Sequence, residues 1–306
     1  MTCPLCQASG NSLREEIQTA HICELYRESF GIDARRLFLD TKSVGFIECT
    51  ACGLRYFSPL VTGDGGFYDE LQKQPWYYLE TKYEYDFVAD MIAPGARVLD
   101  IGAGKGAFAD RLVSGVEYTG LDSSPEARRK AQSKGVDVLN ESIETHAVSH
   151  REGYDFVVSF QSLEHVADPG AFLTAATACI RPSGELVIVV PSEDSFLKFA
   201  SNSPLNMPPH HVTRWPDRTL REIAKRYGLK LSFLHHEPLQ DIHSEWGFAV
   251  MAGAMLGRGR HLIERRGSVF AKVTSRMAGM LGGVLSKHLA REFWPCGHSV
   301  IVVYTK

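Results

Sequence analysis

The sequence predicts an α/β fold with a seven-stranded, mostly parallel sheet, a small N-terminal metal-binding unit and a helical insertion before the last strand. Three observations support this prediction. From position 97 onward, short apolar runs alternate with segments that carry helix caps or a helical period. Two cysteine pairs precede these runs, and a basic stretch at 255–291 interrupts them before the last one.

Length and composition limit what the chain can be. Its 306 residues are enough for about two domains, and 44% apolar residues is typical of a globular protein. A net charge of −3 gives no basic footprint, so we expect no nucleic-acid partner. The longest uncharged apolar run, 246–257, is too short to span a bilayer, and no signal peptide is recognisable. We expect a soluble, cytoplasmic protein, and its oligomeric state is not predicted.

Four cysteines form two C-x-x-C pairs, Cys3 with Cys6 and Cys49 with Cys52. Thiolates at this spacing can point at one ion, and two pairs complete a tetrahedral zinc site. Such a closed site stabilises a fold rather than catalysing a reaction. Two disulfides are the alternative, although the reducing cytosol disfavours them. The other three cysteines are expected to be buried or incidental thiols.

The α/β region is predicted element by element from apolar runs and capping signals. A helix is expected after the glycine-rich residues 102–106 and through Val113, and further helices start at Ser124 and Asp168, each followed by Pro. A fourth helix is indicated by apolar residues spaced three and four apart over 220–227. Strands are expected at 97–101, 116–121, 136–139, 154–160, 185–190, 229–234 and 299–304.

A glycine loop directly after the first of these strands indicates a cofactor site. Gly102 and Gly104 let the backbone turn sharply and approach a ligand closely. Asp122 ends the next strand, where a carboxylate can hold both hydroxyls of a ribose. Asp100 precedes the first glycine by two residues. The glycine spacing alone also fits a looser dinucleotide fingerprint. It therefore predicts an adenine-containing cofactor but does not identify which one.

Several motifs together resemble the class I S-adenosylmethionine-dependent methyltransferases, which have a Rossmann-like sheet. Residues 98–106 (VLDIGAGKG) look like their first motif, and 121–125 (LDSSP) look like their second. Residues 162–169 (SLEHVADP) are similar to the motif after strand four in the ubiquinone-biosynthesis branch, and 181–186 (RPSGEL) to the turn before strand five. The resemblance covers about residues 90–245 and the last strand.

The resemblance implies specific contacts with S-adenosylmethionine. Gly102 and Gly104 would hold its methionine part and Asp122 its ribose. Gln161 would lie near the sulfonium. The other residues expected to contact the cofactor are Asp100, Tyr78 and, for the adenine, Ser142 and Ile143.

A four-cysteine ribbon before such a domain is similar to the deoxysugar C-methyltransferases and related enzymes of glycan and secondary-metabolite pathways. Those enzymes carry a large C-terminal domain for which this chain has no room. We therefore expect O-methylation of a sugar or glycan intermediate. The alternatives are a quinone- or polyketide-like acceptor and C-methylation of a nucleotide-linked sugar. An NAD-dependent oxidoreductase is a different class, disfavoured because no Tyr-x-x-x-Lys follows the fourth strand.

Histidines in two loops are the predicted catalytic residues. His210 and His211 follow Pro208-Pro209 after strand five, at the strand end that faces the ligand crevice. The sugar C-methyltransferase resemblance places the catalytic histidine at His211. His165 follows strand four and either contacts the acceptor or fixes its loop by hydrogen bonds. Imidazole suits the removal of a hydroxyl proton because it titrates near neutral pH.

Two other segments can each be interpreted in two ways. The aromatic stretch at 63–92 is either a helix packed on the core or a lid over the ligand. The basic stretch at 255–291 is either a helical cap or a surface that contacts a membrane or lipid-linked substrate. The expected domains are a zinc ribbon at 1–62, the lid at 63–92, the cofactor-binding domain at 93–244, and the insertion with the final strand at 245–306.

Overall fold

The protein folds around two β-sheets. The structure, a computed structural model, describes residues 2–74, 77, 80–264 and 269–306. The strands are β1 (Asn11–Gln18), β2 (Ser43–Cys49), β3 (Arg55–Ser58), β4 (Arg97–Ile101), β5 (Glu117–Leu121), β6 (Val138–Leu139), β7 (Tyr154–Phe160), β8 (Ile180–Pro191), β9 (Thr213–Arg214), β10 (Lys230–Pro238) and β11 (Cys296–Thr305). The helices are α1 (Thr19–Phe30), α2 (Gly65–Leu71), α3 (Tyr83–Ala89), α4 (Pro125–Ser133), α5 (Ile143–Ser149), α6 (Pro169–Cys179), α7 (Asp217–Arg226), α8 (Asp241–Met255) and α9 (Val269–His288).

The larger sheet has seven strands in the order β10-β11-β8-β7-β4-β5-β6. Strands β4 to β8 run parallel, and β11 lies antiparallel between β8 and β10. Both faces of the central strands are covered, since Val98 and Leu99 are each fully buried. This is the predicted seven-stranded, mostly parallel α/β sheet, and the carboxyl ends of β4, β5 and β7 meet at one edge.

Local signals in the sequence correspond closely to the observed elements. The strands at 97–101 and 154–160 have the predicted bounds. Ser124 and Asp168 cap α4 and α6, each accepting a hydrogen bond from a backbone amide three residues on. The helix expected after the glycine loop through Val113 is wrong, because only a 3₁₀ turn forms at Ala109–Arg111. Gly106 has a φ of +74°, which interrupts helical backbone directly after the loop.

The smaller sheet joins the N-terminal unit to the α/β region. Its order is β1-β2-β3-β9, all antiparallel, and β9 comes from the chain just after His210 and His211. The cysteine pairs pack into the same apolar core as Trp215 and Leu220 of the larger domain. The unit predicted at 1–62 is thus completed by a strand that lies 150 residues later in the chain.

The insertion before the last strand is a helical hairpin formed by α8 and α9. The two helices approach closely at Gly282, where an added Cβ would lie 2.7 Å from the backbone nitrogen of Ala249. Residues 265–268 of the predicted basic stretch lie outside the described part of the chain, as does Tyr78. Among the described residues, no helix is both long and apolar enough to cross a membrane.

Candidate active site

A glycine loop forms one wall of a cleft at the carboxyl edge of the large sheet. Gly102 has a φ of +82°, and a Cβ added there would lie 2.1 Å from Oγ of Ser162. The backbone amides of Gly102 and Ala103 both donate to the carbonyl of Leu121, with distances of 2.8 and 3.0 Å. These bonds fix the loop against β5. A side chain at Gly102 would collide with Ser162, so the close approach of these two loops requires glycine.

Asp122 and Asp100 place two carboxyl groups beside this loop. The two oxygens of Asp122 accept hydrogen bonds from the backbone amides of Gly104 (2.9 Å) and Ser124 (2.7 Å). Asp100 accepts a hydrogen bond from the hydroxyl of Tyr118 at 2.8 Å through Oδ2. Its Oδ1 is buried and has no hydrogen-bond partner among the described residues. Burial raises the pKa of Asp122 and raises that of Asp100 to about 7.

The cleft has a volume of about 1400 Å³ and is large enough for a cofactor and a second ligand. The glycine loop and Asp122 lie along it, and Gln161 and five histidines, three of them predicted, line it as well. Gln161 adopts a φ of +51°. Its side-chain amide nitrogen, Nε2, donates to Oγ of Ser299 at 2.9 Å. The predicted residues that line this cleft are Gly102, Gly104, Asp122, Gln161, His165, His210 and His211.

The three histidines form one cluster whose hydrogen bonds define their neutral tautomers. Carbonyl oxygens can only accept, so Nδ1 of His165 donates to the carbonyl of His210 (2.6 Å) and Nδ1 of His210 to that of Leu205 (2.9 Å). Nε2 of His210 lies 3.1 Å from the hydroxyl of Tyr77. His211 uses Nδ1 toward the amide oxygen of Asn206 at 3.3 Å. In His165 and His211 the proton therefore lies on Nδ1. The Nε2 atom of each neutral ring carries a lone pair and can accept a hydrogen bond.

The carboxyl group of Glu164 lies close to both of these nitrogens. Its Oε1 lies 3.8 Å from Nε2 of His211 and 3.9 Å from Nε2 of His165. The carboxyl is almost completely buried, and neither oxygen has a hydrogen-bond partner among the described residues. Both distances are longer than a hydrogen bond and too short for another heavy atom to lie directly between the groups, so a hydroxyl group would have to approach them from the side that lines the cleft. The sequence analysis named the histidines and did not assign a role to Glu164.

Burial keeps this cluster neutral near pH 7. It raises the pKa of Glu164 to about 8 and lowers the pKa of His165 to about 4. The pKa values of His210 and His211 are lowered well below the ordinary histidine value by the same cause. A neutral imidazole keeps a lone pair on Nε2, so His211 can accept a proton or a hydrogen bond from a hydroxyl group.

The N-terminal unit positions the histidine loop through backbone contacts. The amide of Phe57 donates to the carbonyl of Val212 at 3.0 Å, and the amide of Gly63 donates to that of Pro209 at 2.8 Å. Tyr26 donates its hydroxyl to the carbonyl of Pro204 at 2.7 Å. The loop that carries His210 and His211 is thus held from one side by the unit that contains the cysteines.

The cysteine pairs meet as the spacing predicts. Sγ of Cys3 lies 3.6 Å from Sγ of Cys52, and Sγ of Cys6 lies 3.5 Å from that of Cys49. All four sulfurs lie within 4.8 Å of one another. These separations exceed a disulfide bond of about 2.05 Å and approach the roughly 3.8 Å edge of a tetrahedron with zinc–sulfur bonds of about 2.3 Å. The described structure therefore fits a four-thiolate metal site.

The three histidine rings also lie close enough to surround a cation, with their ring nitrogens within 4.8 Å of one another. His210 already uses both nitrogens, toward Leu205 and Tyr77. We interpret the trio as a hydrogen-bonded cluster.

The aromatic stretch serves both as core and as cleft wall. Phe67 is buried in the N-terminal core, whereas Tyr68, Tyr77, Tyr83 and Tyr85 line the cleft. Tyr78 lies outside the described residues, and its predicted cofactor contact stays a prediction. The adenine contacts of Ser142 and Ile143 also stay predictions. In the structure Ser142 caps α5, and Ile143 is buried in the main core.

Further cleft residues come from the end of β10 and the start of β11. Glu237 accepts a hydrogen bond from the amide of Ser299 at 2.9 Å, and burial raises its pKa to about 7. His298 is also buried, and its pKa is lowered to about 3. Sequence reasoning placed Glu237 at the ligand end of the sheet and missed His298. A signal was available in the order of the strands. Because the last strand, β11, is antiparallel to its neighbours, its first residues lie at the edge where the parallel strands end.

Other histidines near this edge have separate structural partners. His236 lies 3.0 Å from Oδ2 of Asp217 and 3.1 Å from Oγ of Ser192. His235 lies 2.9 Å from the hydroxyl of Tyr83 and stacks on Phe87. Their different directions follow from their adjacent positions on β10.

The comparisons with known proteins agree with this architecture. Residues 62–232, more than half of the chain, match a family model described as a methyltransferase domain. Ubiquinone biosynthesis O-methyltransferases of Salmonella arizonae and Klebsiella pneumoniae are each 37% identical to this chain over 99 residues. The match covers 30% of this chain and 41% of each relative, so the chain spans about two fifths of the relatives' length. A solved S-adenosylmethionine-dependent methyltransferase from Thermotoga maritima superposes with a TM-score of 0.50 at 17% identity, covering 79% of this chain and 97% of that one.

The chain belongs to this methyltransferase-domain family, and its motifs resemble those of the members that use S-adenosylmethionine. The residues of the cleft fit that cofactor. Gly102 and Asp122 line the cleft. Asp100 lies buried behind the glycine loop, and its Oδ1, which has no hydrogen-bond partner among the described residues, can accept from the amine of the methionine part. Asp122 retains lone pairs for hydroxyl donors in addition to the two amides that it binds.

Proposed function

We propose that the protein transfers a methyl group to a hydroxyl of a sugar or glycan intermediate. The observation that carries the proposal is the convergence of Glu164, His165 and His211 in the cleft that also contains the glycine loop. Two neutral imidazole nitrogens and a carboxyl group suit a hydroxyl acceptor, which can both donate and accept hydrogen bonds. Further polar groups, among them Glu237 and Gln240, line the same cleft and suit a substrate with several hydroxyls.

The side chains of this cluster have distinct proposed roles. When bound, S-adenosylmethionine supplies an activated methyl group, so the protein has to align the acceptor and manage its proton. Nε2 of His211 accepts the hydroxyl proton, while the bond from Nδ1 to Asn206 holds the ring in place. The neutral carboxyl group of Glu164 stabilises the imidazolium ion that forms through its carbonyl oxygen, which can accept a hydrogen bond. His165, held by the carbonyl of His210, orients the acceptor.

We propose that Cys3, Cys6, Cys49 and Cys52 bind one zinc ion. Their sulfur separations of 3.5 to 3.6 Å within the cross-pairs and their burial support a closed site. The proposed role of the metal is structural. It would fix the turn that leads into β3, the strand that pairs with β9 beside the histidine loop.

A quinone- or polyketide-like phenol is the second candidate acceptor. The observation in its favour is the 37% identity to enzymes named ubiquinone biosynthesis O-methyltransferases, although it covers only 99 residues. A phenol or catechol would place an aromatic ring in the cleft, and Tyr68 and Tyr83 offer ring faces there. C-methylation of a nucleotide-linked sugar is a third option that uses the same base.

A methyl-transfer screen separates these acceptors. The purified chain would be incubated with radiolabelled S-adenosylmethionine and a panel of sugar nucleotides, oligosaccharides, catechols and hydroxyquinones. We expect label in a sugar-containing product, and NMR of that product identifies the methylated atom. His21→Asn, an exposed histidine on α1, is the matched control for His211→Asn. Label found only in phenols would reject the sugar acceptor, and label on carbon would reject O-methylation.

A further inference from the structure

Where α8 and α9 cross, the hairpin packs through small residues, and Phe248 and Leu285 join a separate apolar cluster with Phe196. Ala249 and Gly253 of α8 face Ala278 and Gly282 of α9, and built Cβ atoms at both glycines would contact the opposite helix or its flanking residues. Helices in water normally bury large apolar side chains against their partner. Contacts through small residues are instead typical of helix pairs in an apolar surrounding.

The outer face of α9 carries a continuous apolar stripe, which we define as Val273, Met277, Met280, Leu281 and Val284. Successive members are three or four residues apart or adjacent, so they share one helix face. All five are exposed, including Met280 at 74% and Val284 at 55%. Such a stripe costs free energy in water, which indicates that a partner covers it.

Basic residues border this stripe and no acidic residue does so on the same helix. Arg276 precedes Met280 by one helical turn, and Lys287 follows Val284 by three residues. Both side chains are exposed. The segment Val269–His288 contains Lys272 as a further cation and no Asp or Glu. Long basic side chains beside an apolar stripe can extend to phosphate groups while the stripe enters the acyl region.

We propose that the α8–α9 hairpin docks on the surface of an anionic lipid bilayer. The stripe would lie at the boundary of headgroups and acyl chains, with Arg276 and Lys287 at the phosphates. Asp241, Ile242 and His243, in the first turn of α8, line the catalytic cleft. Docking therefore brings the cleft close to the membrane. The inference depends on the hairpin alone and holds for any acceptor.

A second copy of this chain is a less suitable partner. Pairing two stripes face to face would bring Arg276 and Lys287 of each copy near the same cations of the other. Like charges oppose such an interface, and α9 itself has no acid; the acid of the hairpin nearest the stripe is Glu245 of α8, beside Gly283. An anionic surface complements both features of the helix.

Vesicle co-sedimentation of the full chain tests this inference. The probes are phosphatidylcholine vesicles, alone or with about a quarter phosphatidylglycerol. One variant combines Met280→Asp with Val284→Asp, and another combines Arg276→Ser with Lys287→Ser. The matched control combines Leu39→Asp with Val148→Asp, two residues that are 82% and 81% exposed outside the hairpin. Circular dichroism and S-adenosylmethionine binding confirm that each variant is folded.

We expect the wild type to bind anionic vesicles at least about tenfold more tightly than neutral ones. The stripe variant should lose at least about tenfold of that binding, and the basic variant about 20- to 30-fold, at roughly fivefold for each cation. The control should bind like the wild type. Absence of wild-type binding to anionic vesicles, or equal binding by the stripe variant, would overturn the inference. So would a wild-type dimer, in analytical ultracentrifugation, that the stripe variant converts to a monomer without any vesicle binding.

Discussion

Oε1 of Glu164 lies 3.8 Å from Nε2 of His211, and both residues are buried. The two groups come from different loops, after β7 and after β8, and their separation is slightly longer than a hydrogen bond. Burial favours the neutral form of each, raising the pKa of the carboxyl group and lowering that of the imidazole. A hydroxyl group that enters the cleft beside them would meet an imidazole lone pair and a neutral carboxyl group whose carbonyl oxygen can accept a hydrogen bond.

The first prediction concerns stability and follows from the pKa of Glu164, about 8 against an ordinary value of 4.5. The folded state keeps this proton where the unfolded state has lost it, so the carboxyl group lowers stability as pH rises from 4.5 through 8. Glu164→Gln cannot ionise. Its free energy of unfolding relative to the wild type should therefore increase between pH 5 and pH 8, by on the order of 3 kcal/mol.

Urea unfolding at both pH values measures this difference. Glu144→Gln, which changes an exposed carboxyl group on α5, is the matched control and should follow the wild type. Parallel behaviour of Glu164→Gln and the wild type across the range would contradict a neutral buried carboxyl.

The second prediction concerns His211. General-base removal typically lowers rates by roughly 10²- to 10⁴-fold. We expect His211→Asn to lower turnover by at least about tenfold with S-adenosylmethionine affinity within a few-fold, because the ring acts on the acceptor. His210→Ala should do less, since both of its ring nitrogens bond to protein groups. Steady-state kinetics and calorimetry measure the two effects separately.

Full turnover of His211→Asn between pH 6 and pH 8 would remove its role as base. If His165→Ala alone abolished turnover with the cofactor still bound, the role would pass to His165.

The third prediction concerns Asp122. Asp122→Ala removes the expected ribose contact and also the two bonds that hold the amides of Gly104 and Ser124. We expect S-adenosylmethionine to bind more weakly by roughly 2–3 kcal/mol, a typical value for hydrogen bonds to a charged group. Calorimetry with Asp137→Ala, an exposed carboxylate before β6, supplies the control. Unchanged affinity, or tight NAD binding by the wild type, would contradict the assignment.

Features that depend on local sequence could be predicted well. The bounds of β4 and β7 follow from continuous apolar runs between polar residues. Ser124 and Asp168 cap helices because a short polar side chain before proline satisfies a free backbone amide. The pairing of two C-x-x-C turns is implied by the geometry that metal ligation demands.

Features that depend on distant contacts could not be predicted. The motif around Glu164 was noticed, but its importance arises because His211, 47 positions later, is brought to 3.8 Å. The antiparallel pairing of β3 with β9 joins residues 157 or more positions apart and has no local signal. The helix predicted through Val113 is an error of another kind. Its apolar residues have a helical spacing, but the positive φ of Gly106 prevents a helix from starting there.

The fourth prediction links the cysteine site to the histidine loop. Protein purified without added metal should contain about one zinc per chain, and Cys49→Ser should lose it. Because Cys49 ends β2 and the turn to Cys52 leads into β3, its loss should loosen the bond from Phe57 to Val212. We therefore expect a melting temperature lower by at least about 5 °C and a larger loss of turnover than of cofactor affinity. Cys296→Ser, at an exposed thiol, is the control and should retain zinc and activity. Metal-free protein with four titratable thiols and full turnover would contradict both the site and its link to the loop.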